Sequence, residues 1–233
     1  IKYIRKFATI STLRHTSQPA LVDGDRVHTL PFADMYAVME VGAEKAAKKA
    51  SKDWLPVDEV KFLSPLKPFT LRDGYAFEQH VMTANRNRGR DVPAEWYEFP
   101  VFYFTNPNAV FGHDDVIPYP HYTDAMDYEL EIAAVIGRGG MNIKPEDAPN
   151  HIFGYTIFND WSARDVQRKE MAVGLGPAKG KDFASAFGPL IITHEALADK
   201  WTGRPGVYDL EMSAKVNGRE LSRGNFKDMH WSF

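Results

Sequence analysis

The sequence predicts a β-rich α+β fold. Short runs of alternating apolar and polar residues recur along the chain, each bounded by Gly, Pro, Asn or Asp. Helix-compatible stretches are few and short. No internal repeat, low-complexity tract or Gly-x-Gly-x-x-Gly phosphate loop breaks this pattern.

Residues 1–30 hold two strand-like stretches, Tyr3-Ile4-Arg5-Lys6-Phe7-Ala8-Thr9-Ile10 and Ala20-Leu21-Val22. The second turns at Asp23-Gly24 and returns through Arg26-Val27-His28, as a hairpin. Residues 32–53 read as one helix, with Asp34 at its N-cap and lysines at its C-terminal end, where they suit the helix dipole. A Pro-punctuated, extended linker over 60–68 closes a small N-terminal segment, residues 1–68. The larger unit is residues 69–233. In it, a helix is predicted over 75–85 with Asp73 near its start, followed by a mobile basic loop at 86–93. Val101-Phe102-Tyr103-Phe104 reads as a strand and residues 116–120 as an extended piece. Further strands are predicted over 128–136, 151–160, 189–193 and 209–216. Gly137-Arg138-Gly139-Gly140 is a turn, 144–150 a helical turn and 163–170 a helix. Asn217-Gly218 is the strongest hairpin signal in the chain.

Composition excludes several function classes. The net charge of −3 gives no electrostatic case for nucleic acid or an anionic membrane. No apolar run approaches the ~20 residues of a membrane-spanning helix. The absence of cysteine excludes disulfides, thiolate metal sites and a cysteine nucleophile, and fits a cytoplasmic protein.

Chemistry concentrates between residues 126 and 181. Glu129 and Glu131 lie two apart in a strand, so both carboxylates project from one face. A bare Glu-x-Glu is usually a solvated strand face. Here that face turns apolar at once, at Ala133 and Val135. Asp160 ends the next apolar run and brings a third carboxylate toward the same point. Hard oxygen donors in this number suit Mg²⁺, with Mn²⁺ or Ca²⁺ as alternatives. Of eight histidines, His80 is the best acid–base group. No two histidines form the i, i+4 pair of a helical zinc site, and His113, His121, His151 and His194 sit beside turn signals as structural residues. Arg86 or Arg88, in the basic loop, offers a clamp for a substrate carboxylate. Ser162 lacks the Gly-x-Ser-x-Gly setting of a nucleophile; with Arg164 and Asp165 it is expected to lock the turn below the metal.

Three motifs together resemble the fumarylacetoacetate hydrolase superfamily: Tyr128-Glu129-Leu130-Glu131, Asn159-Asp160-Trp161-Ser162-Ala163-Arg164-Asp165-Val166-Gln167 and Gly176-Pro177-Ala178-Lys179-Gly180-Lys181-Asp182-Phe183. The resemblance covers about two-thirds of the chain, from Arg72 onward. It implies a mixed β-roll, an N-terminal segment ahead of it, a metal at the carboxylates and a homodimer. It also implies a further C-terminal stretch with a Gly-Thr-containing loop, so residues 69–233 are expected to lack the C-terminal end of the domain.

The resemblance also assigns roles. Asp73, seven residues before His80, is implied as a fourth metal ligand; read alone it is a helix cap. His80 is implied to activate water, often beside a carboxylate, for which Glu78 is the candidate. Because i and i+2 do not face each other on a helix, that pairing requires a non-helical backbone. Lys181 is implied as the active-site lysine, with Lys179 as its competitor, and Gln167 as a substrate-binding residue. The reaction expected is metal-dependent hydrolysis of a C–C bond in a small β-diketo or 2-oxo acid, such as an acylpyruvate. In it His80 activates water, and the metal and Lys181 stabilise the enolate. The alternatives are decarboxylation or keto–enol isomerisation at the same site, or a metal-binding protein without catalysis.

Overall fold

Among the described residues, ten strands pair into one mixed sheet that carries Glu131 and Asp160. The computed structural model describes residues 5–174 and 176–233, so Tyr3, Ile4 and Leu175 of the stretches above lie outside it. The first elements are β1 (Lys6–Ser11), β2 (Gln18–Asp23), β3 (Arg26–Thr29), α1 (Met35–Val41), α2 (Ala43–Ala47), β4 (Leu55–Pro56) and β5 (Lys61–Phe62). Then follow β6 (Leu71–Gly74), α3 (Glu78–Arg86), β7 (Phe102–Thr105), β8 (Val110–Phe111), β9 (Met126–Asp127), β10 (Leu130–Ile136) and β11 (Ile152–Asp160). The last are β12 (Ser162–Ala163), α4 (Arg164–Ala172), β13 (Ser185–Phe187), β14 (Ile191–Ile192), β15 (Glu211–Val216) and β16 (Arg219–Asn225).

The sheet runs β4-β3-β2-β1-β14-β11-β13-β8, with β5 added on β1 and β10 on β11. Its pairs are antiparallel except β8–β13, which is parallel. Strands from residues 1–68 and from 69–233 thus share one sheet. The predicted helix over 32–53 is divided. Asp34 does cap it, accepting from the Ala37 N–H at 2.9 Å, but Gly42 at φ +88° separates α1 from α2. A left-handed residue stops helix propagation, and glycine enters that region without a Cβ penalty. The helix predicted over 75–85 begins later, at Glu78, because Asp73 and Gly74 are taken into β6, which pairs with β7. Asp73 is therefore a strand residue and not a helix cap. The loop after α3 is tied down: Asn85 is buried, its Oδ1 accepts from Arg90 Nε and its carbonyl from the Arg90 N–H.

Alternation along β1 explains two of the cores. Phe7 faces α1 and α2 with Leu21, Leu30, Val38 and Ile191. Ala8 and Ile10 face the opposite cluster, with Ala20, Val22 and Val27. A third cluster gathers Ile152, Tyr155, Val207, Tyr208 and Phe226. β10 lies between cores: Ile132 and Ala134 pack on the third, Val135 in the first. Its carboxylate face is thus continuous with the interior, which is why Glu129 and Glu131 are drawn in rather than solvated. Among the described residues, no helix is long and apolar enough to cross a membrane.

Candidate metal centre

Four carboxyl groups converge where β6, β10 and β11 meet. One ligand oxygen each from Asp73, Glu129, Glu131 and Asp160 lies within 4.8 Å of the others. The strand ladders set this up. In the β10–β11 register Leu130 lies opposite Asn159 and Glu131 opposite Phe158, so the two acidic ends coincide. The Asn159 side chain accepts from the Glu129 N–H at 3.0 Å and fixes the entry to β10. Asp73 comes from β6, where it lies opposite Tyr103 of β7.

Two cations face the four carboxyls. Lys181 is buried, its Nζ 2.5 Å from Glu129 Oε2 and 3.0 Å from Asp160 Oδ2. Burial opposes its charge, but Glu129 and Asp160 outweigh this and hold its pKa above the ordinary value. Arg164 donates from Nη1 to Glu129 Oε1 at 2.6 Å and from Nε to Asp127 Oδ2 at 2.8 Å. Burial also opposes ionisation of Glu129, yet Lys181, a hydrogen bond from Glu131 and Arg164 bring its pKa down to about 2. The other carboxyls move the opposite way. Burial, then the charges of Asp73 and Glu129, pushes Glu131 well above the carboxylate range. Burial, with the nearby Asp160, pushes Asp73 up to about 7. Asp160 is also raised, by burial against the pull of Lys181.

The donor set fits a divalent cation. The buried Asp160 Oδ1 has no hydrogen-bond partner, and a buried polar atom is rarely left so. Two cations cannot neutralise four carboxylates, and the remaining ligands are all hard oxygens, which suit Mg²⁺-like ions.

The sequence reading missed Tyr103. Its hydroxyl lies 2.6 Å from Asp73 Oδ2 and also bonds Asp160 Oδ2. One hydroxyl carries one proton, so it cannot donate to both carboxylates. Where no cation lies between them, one of the two acids must supply a proton of its own. The turn-locking group is as expected in part: Ser162 Oγ donates to the Asp160 carbonyl at 3.0 Å, and Asp165 accepts from Thr123 and from the Asp124 N–H. Arg164 does more than lock the turn, since it binds a carboxylate of the cluster directly.

The remaining candidates lie on α3, just after it, on α4 and on the turn that carries Lys181. His80 lies on α3 with its ring edge-on to Tyr75, 5.5 Å between centroids. His80 is exposed at the surface, and partial desolvation, with Arg164, Lys181 and Arg88, lowers its pKa while Glu129 opposes. Glu78 lies on the same helix, and its Oε1 accepts from Tyr97 at 2.7 Å. The helical backbone points it away from His80. Gln167 Oε1 accepts from Arg164 Nη1 at 3.1 Å, on the same helical face. Arg86 and Arg88 are exposed. Lys179 is exposed too, and only its backbone engages the helix.

Residues 70–233 match the sequence profile described as fumarylacetoacetate (FAA) hydrolase C-terminal. The chain belongs to the fumarylacetoacetate hydrolase family. It is similar to "Oxaloacetate tautomerase YisK" of Bacillus subtilis (strain 168), 34% identical over 98% of this chain and 70% of that protein. It is also similar to "Fumarylacetoacetase" of Oryza sativa subsp. japonica, 30% identical over 81% of this chain. The chain spans about half the length of that rice relative, 53%. Among solved structures, a fumarylacetoacetate hydrolase from psychrophilic Exiguobacterium antarcticum superposes with a TM-score of 0.72 over 97% of this chain and 77% of its own, at 24% identity. That likeness is one of fold. Members of the family include hydrolases and tautomerases or isomerases.

Proposed function

We propose that the chain interconverts the keto and enol forms of a small 2-oxo diacid at a divalent-metal site. The observation that carries this reading is the joining of a four-carboxylate cluster to a buried ammonium, Lys181, with His80 at its mouth. The bound ion, Mg²⁺ or else Mn²⁺ or Ca²⁺, held by Asp73, Glu129, Glu131 and Asp160, supplies a Lewis acid toward the oxygens of the substrate. His80, its pKa lowered, is neutral at pH 7 and can accept a proton. It takes that proton from the carbon beside the carbonyl and returns it to the oxygen. Lys181 offers its ammonium to the negative charge that develops on that oxygen. Gln167, whose Oε1 is engaged by Arg164, has its amide N–H groups for a substrate carboxylate, and Arg88 and Lys179 supply positive charge at the rim.

Hydrolytic C–C cleavage of an acylpyruvate is the second reading. The likeness to fumarylacetoacetase favours it. The pairing of Glu78 with Tyr97 favours tautomerisation instead, because water activation by His80 gains from an orienting carboxylate, whereas proton transfer within the substrate needs no water. Residues 69–233 carry every group named here. The homodimeric state and cytoplasmic setting expected from the sequence belong to the same proposal.

The test is ultraviolet absorbance of enol-oxaloacetate, followed with metal-stripped and Mg²⁺-reloaded protein beside Glu131→Gln. Metal-dependent decay of the enol signal, lost in the variant, is the expected result. Cleavage of an acylpyruvate without tautomerisation would replace the first reading by the second. If neither substrate reacts and metal gives no thermal stabilisation, the functional reading fails.

A further inference from the structure

We propose that Glu170 is a positioning residue for Lys181: its carboxylate gathers the backbone N–H groups of Ala178, Lys179 and Gly180 and so sets where the buried ammonium stands. The kinetic part rests on the proposed keto-acid chemistry; the structural part does not.

Glu170 Oε2 accepts from the Ala178 N–H at 3.1 Å and the Gly180 N–H at 3.0 Å, and Oε1 from the Lys179 N–H at 2.5 Å. Three successive N–H groups converging on one point form an anion-binding concavity. A carboxylate, with acceptor oxygens only, satisfies all three. The same turn closes on itself, because the N–H groups of Lys181 and Asp182 both donate to the Ala178 carbonyl at 2.9 Å. Its other anchor is the Gly180 carbonyl, which accepts from the Ala163 N–H at 2.7 Å, at the entry to α4. Gly180 also lies so close to Gln167 that a Cβ there would stand 2.9–3.0 Å from its backbone and Cβ. The turn that carries Lys181 is therefore fastened to α4 along its length.

Arg164, Gln167 and Glu170 follow at i, i+3 and i+6 and line one broad side of α4, about a third of its circumference. Arg164 grips Glu129 from one end of that side, and Glu170 delivers Lys181 to the same Glu129 from the other. One helix thereby fixes both cations relative to the carboxylate they share. A misplacement of about 1 Å in such a group is enough to lower turnover about a hundredfold.

The test combines the side-chain ammonium NMR signal of Lys181, amide hydrogen exchange and kinetics in Glu170→Gln, with Glu170→Asp as a charge-conserving second variant. In Glu170→Gln one acceptor oxygen becomes an N–H₂, which faces at least one of the three N–H donors. We expect the Lys181 signal to move toward that of an exposed lysine, and the amides of 178–180 to exchange at least about tenfold faster. We expect kcat to fall about a hundredfold with KM within about twofold, and the metal-induced thermal shift to persist. Glu170→Asp moves each readout the same way by less, and decides the matter if Glu170→Gln does not fold. In a Lys181→Met background, Glu170→Gln should change kcat less than about twofold, since a residue that acts through another is silent once the other is gone. Additive losses in that cycle, or an unmoved Lys181 signal, would overturn the proposal. If the wild-type protein turns over no keto acid, the NMR and exchange results decide it alone, and only the functional reading fails.

Discussion

Replacing Lys181 by methionine in the metal-free protein isolates what the buried ammonium does for the cluster. Methionine keeps most of the volume and removes the charge. The Glu129 carboxyl stands at about 2 against an ordinary value of 4.5. At 1.36 kcal/mol per unit the whole depression is worth about 3 kcal/mol. Lys181 is the largest of the lowering causes, ahead of the Glu131 hydrogen bond and the Arg164 charge, so loss of Lys181 removes a large part of it at pH 7. Asp160, buried and left unpaired, adds to this until it takes up a proton. In a chain of this size about 2–3 kcal/mol lowers Tm by about 5–10 °C. Because the folded pKa of Glu129 is depressed, its stabilisation is present above about 4.5 and lost as pH falls toward about 2. The difference between variant and wild type is therefore full at pH 7 and much reduced at pH 3. Calorimetry at both pH values, in EDTA and again in saturating Mg²⁺, measures it. The ion should restore part of the loss, since it brings positive charge to the same oxygens. Equal losses at pH 7 and pH 3 would mean that Lys181 contributes packing alone, and the electrostatic account would be refuted.

The metal-free protein should itself become less stable between about pH 4.5 and pH 7. Asp73 is raised from 3.8 to about 7 and Glu131 also upward, so the folded state binds the extra protons and loses their stabilisation as pH rises through this window. His80, with a lowered pKa, opposes this as a single, smaller effect. Urea denaturation in EDTA at pH 5 and pH 7.5 reads the slope, and stability that rises with pH would contradict the assignment. Gly180→Ala should cost about 1–3 kcal/mol, because the new methyl meets Gln167 on α4. Gly224→Ala, with nothing within 4 Å of its added Cβ, serves as the matched control and should leave Tm unchanged.

Much of this convergence could be read from the sequence because Glu131 and Asp160 lie on long strands and Glu129 directly precedes one of them. Glu129, Glu131 and Asp160 follow from period-2 geometry and from two runs that end at the same point. Asp73 needed its spacing to His80 and the family resemblance, since its own strand is only four residues long. Tyr103 was hidden inside an apolar run. Its neighbours Phe102 and Phe104 point outward and are exposed, and what turns Tyr103 inward is its register opposite Asp73. That register is a long-range pairing which composition does not encode. Glu170 was hidden in another way. It closes the predicted helix over 163–170, and its partners lie eight to ten residues further on. The i, i+3, i+6 series from Arg164 was the available signal. In the N-terminal segment, the alanines on both sides of Gly42 made one helix of two, since propensity summed over a window outweighs a single glycine until its φ is known. The two- and three-residue strands β8, β9, β12 and β13 owe their existence to pairing and show no periodicity of their own.

The cluster is costly to a fold that has no other need of it. Burying four carboxyls side by side raises the pKa values of Glu131 and Asp73, engages two cations at Glu129, and leaves Asp160 Oδ1 without a partner among the described residues. Apolar side chains of similar volume would fill the same space at equal or lower cost. The neighbouring stretch of β10 takes that course, placing Val135 in the core beside Leu21 and Ile191. Acidic residues persist only at the end of the strand, where β6, β10, β11 and the Lys181 turn come within reach of one another. A divalent cation held by these four residues would offset these penalties together, by bringing positive charge to buried, unpartnered oxygen donors.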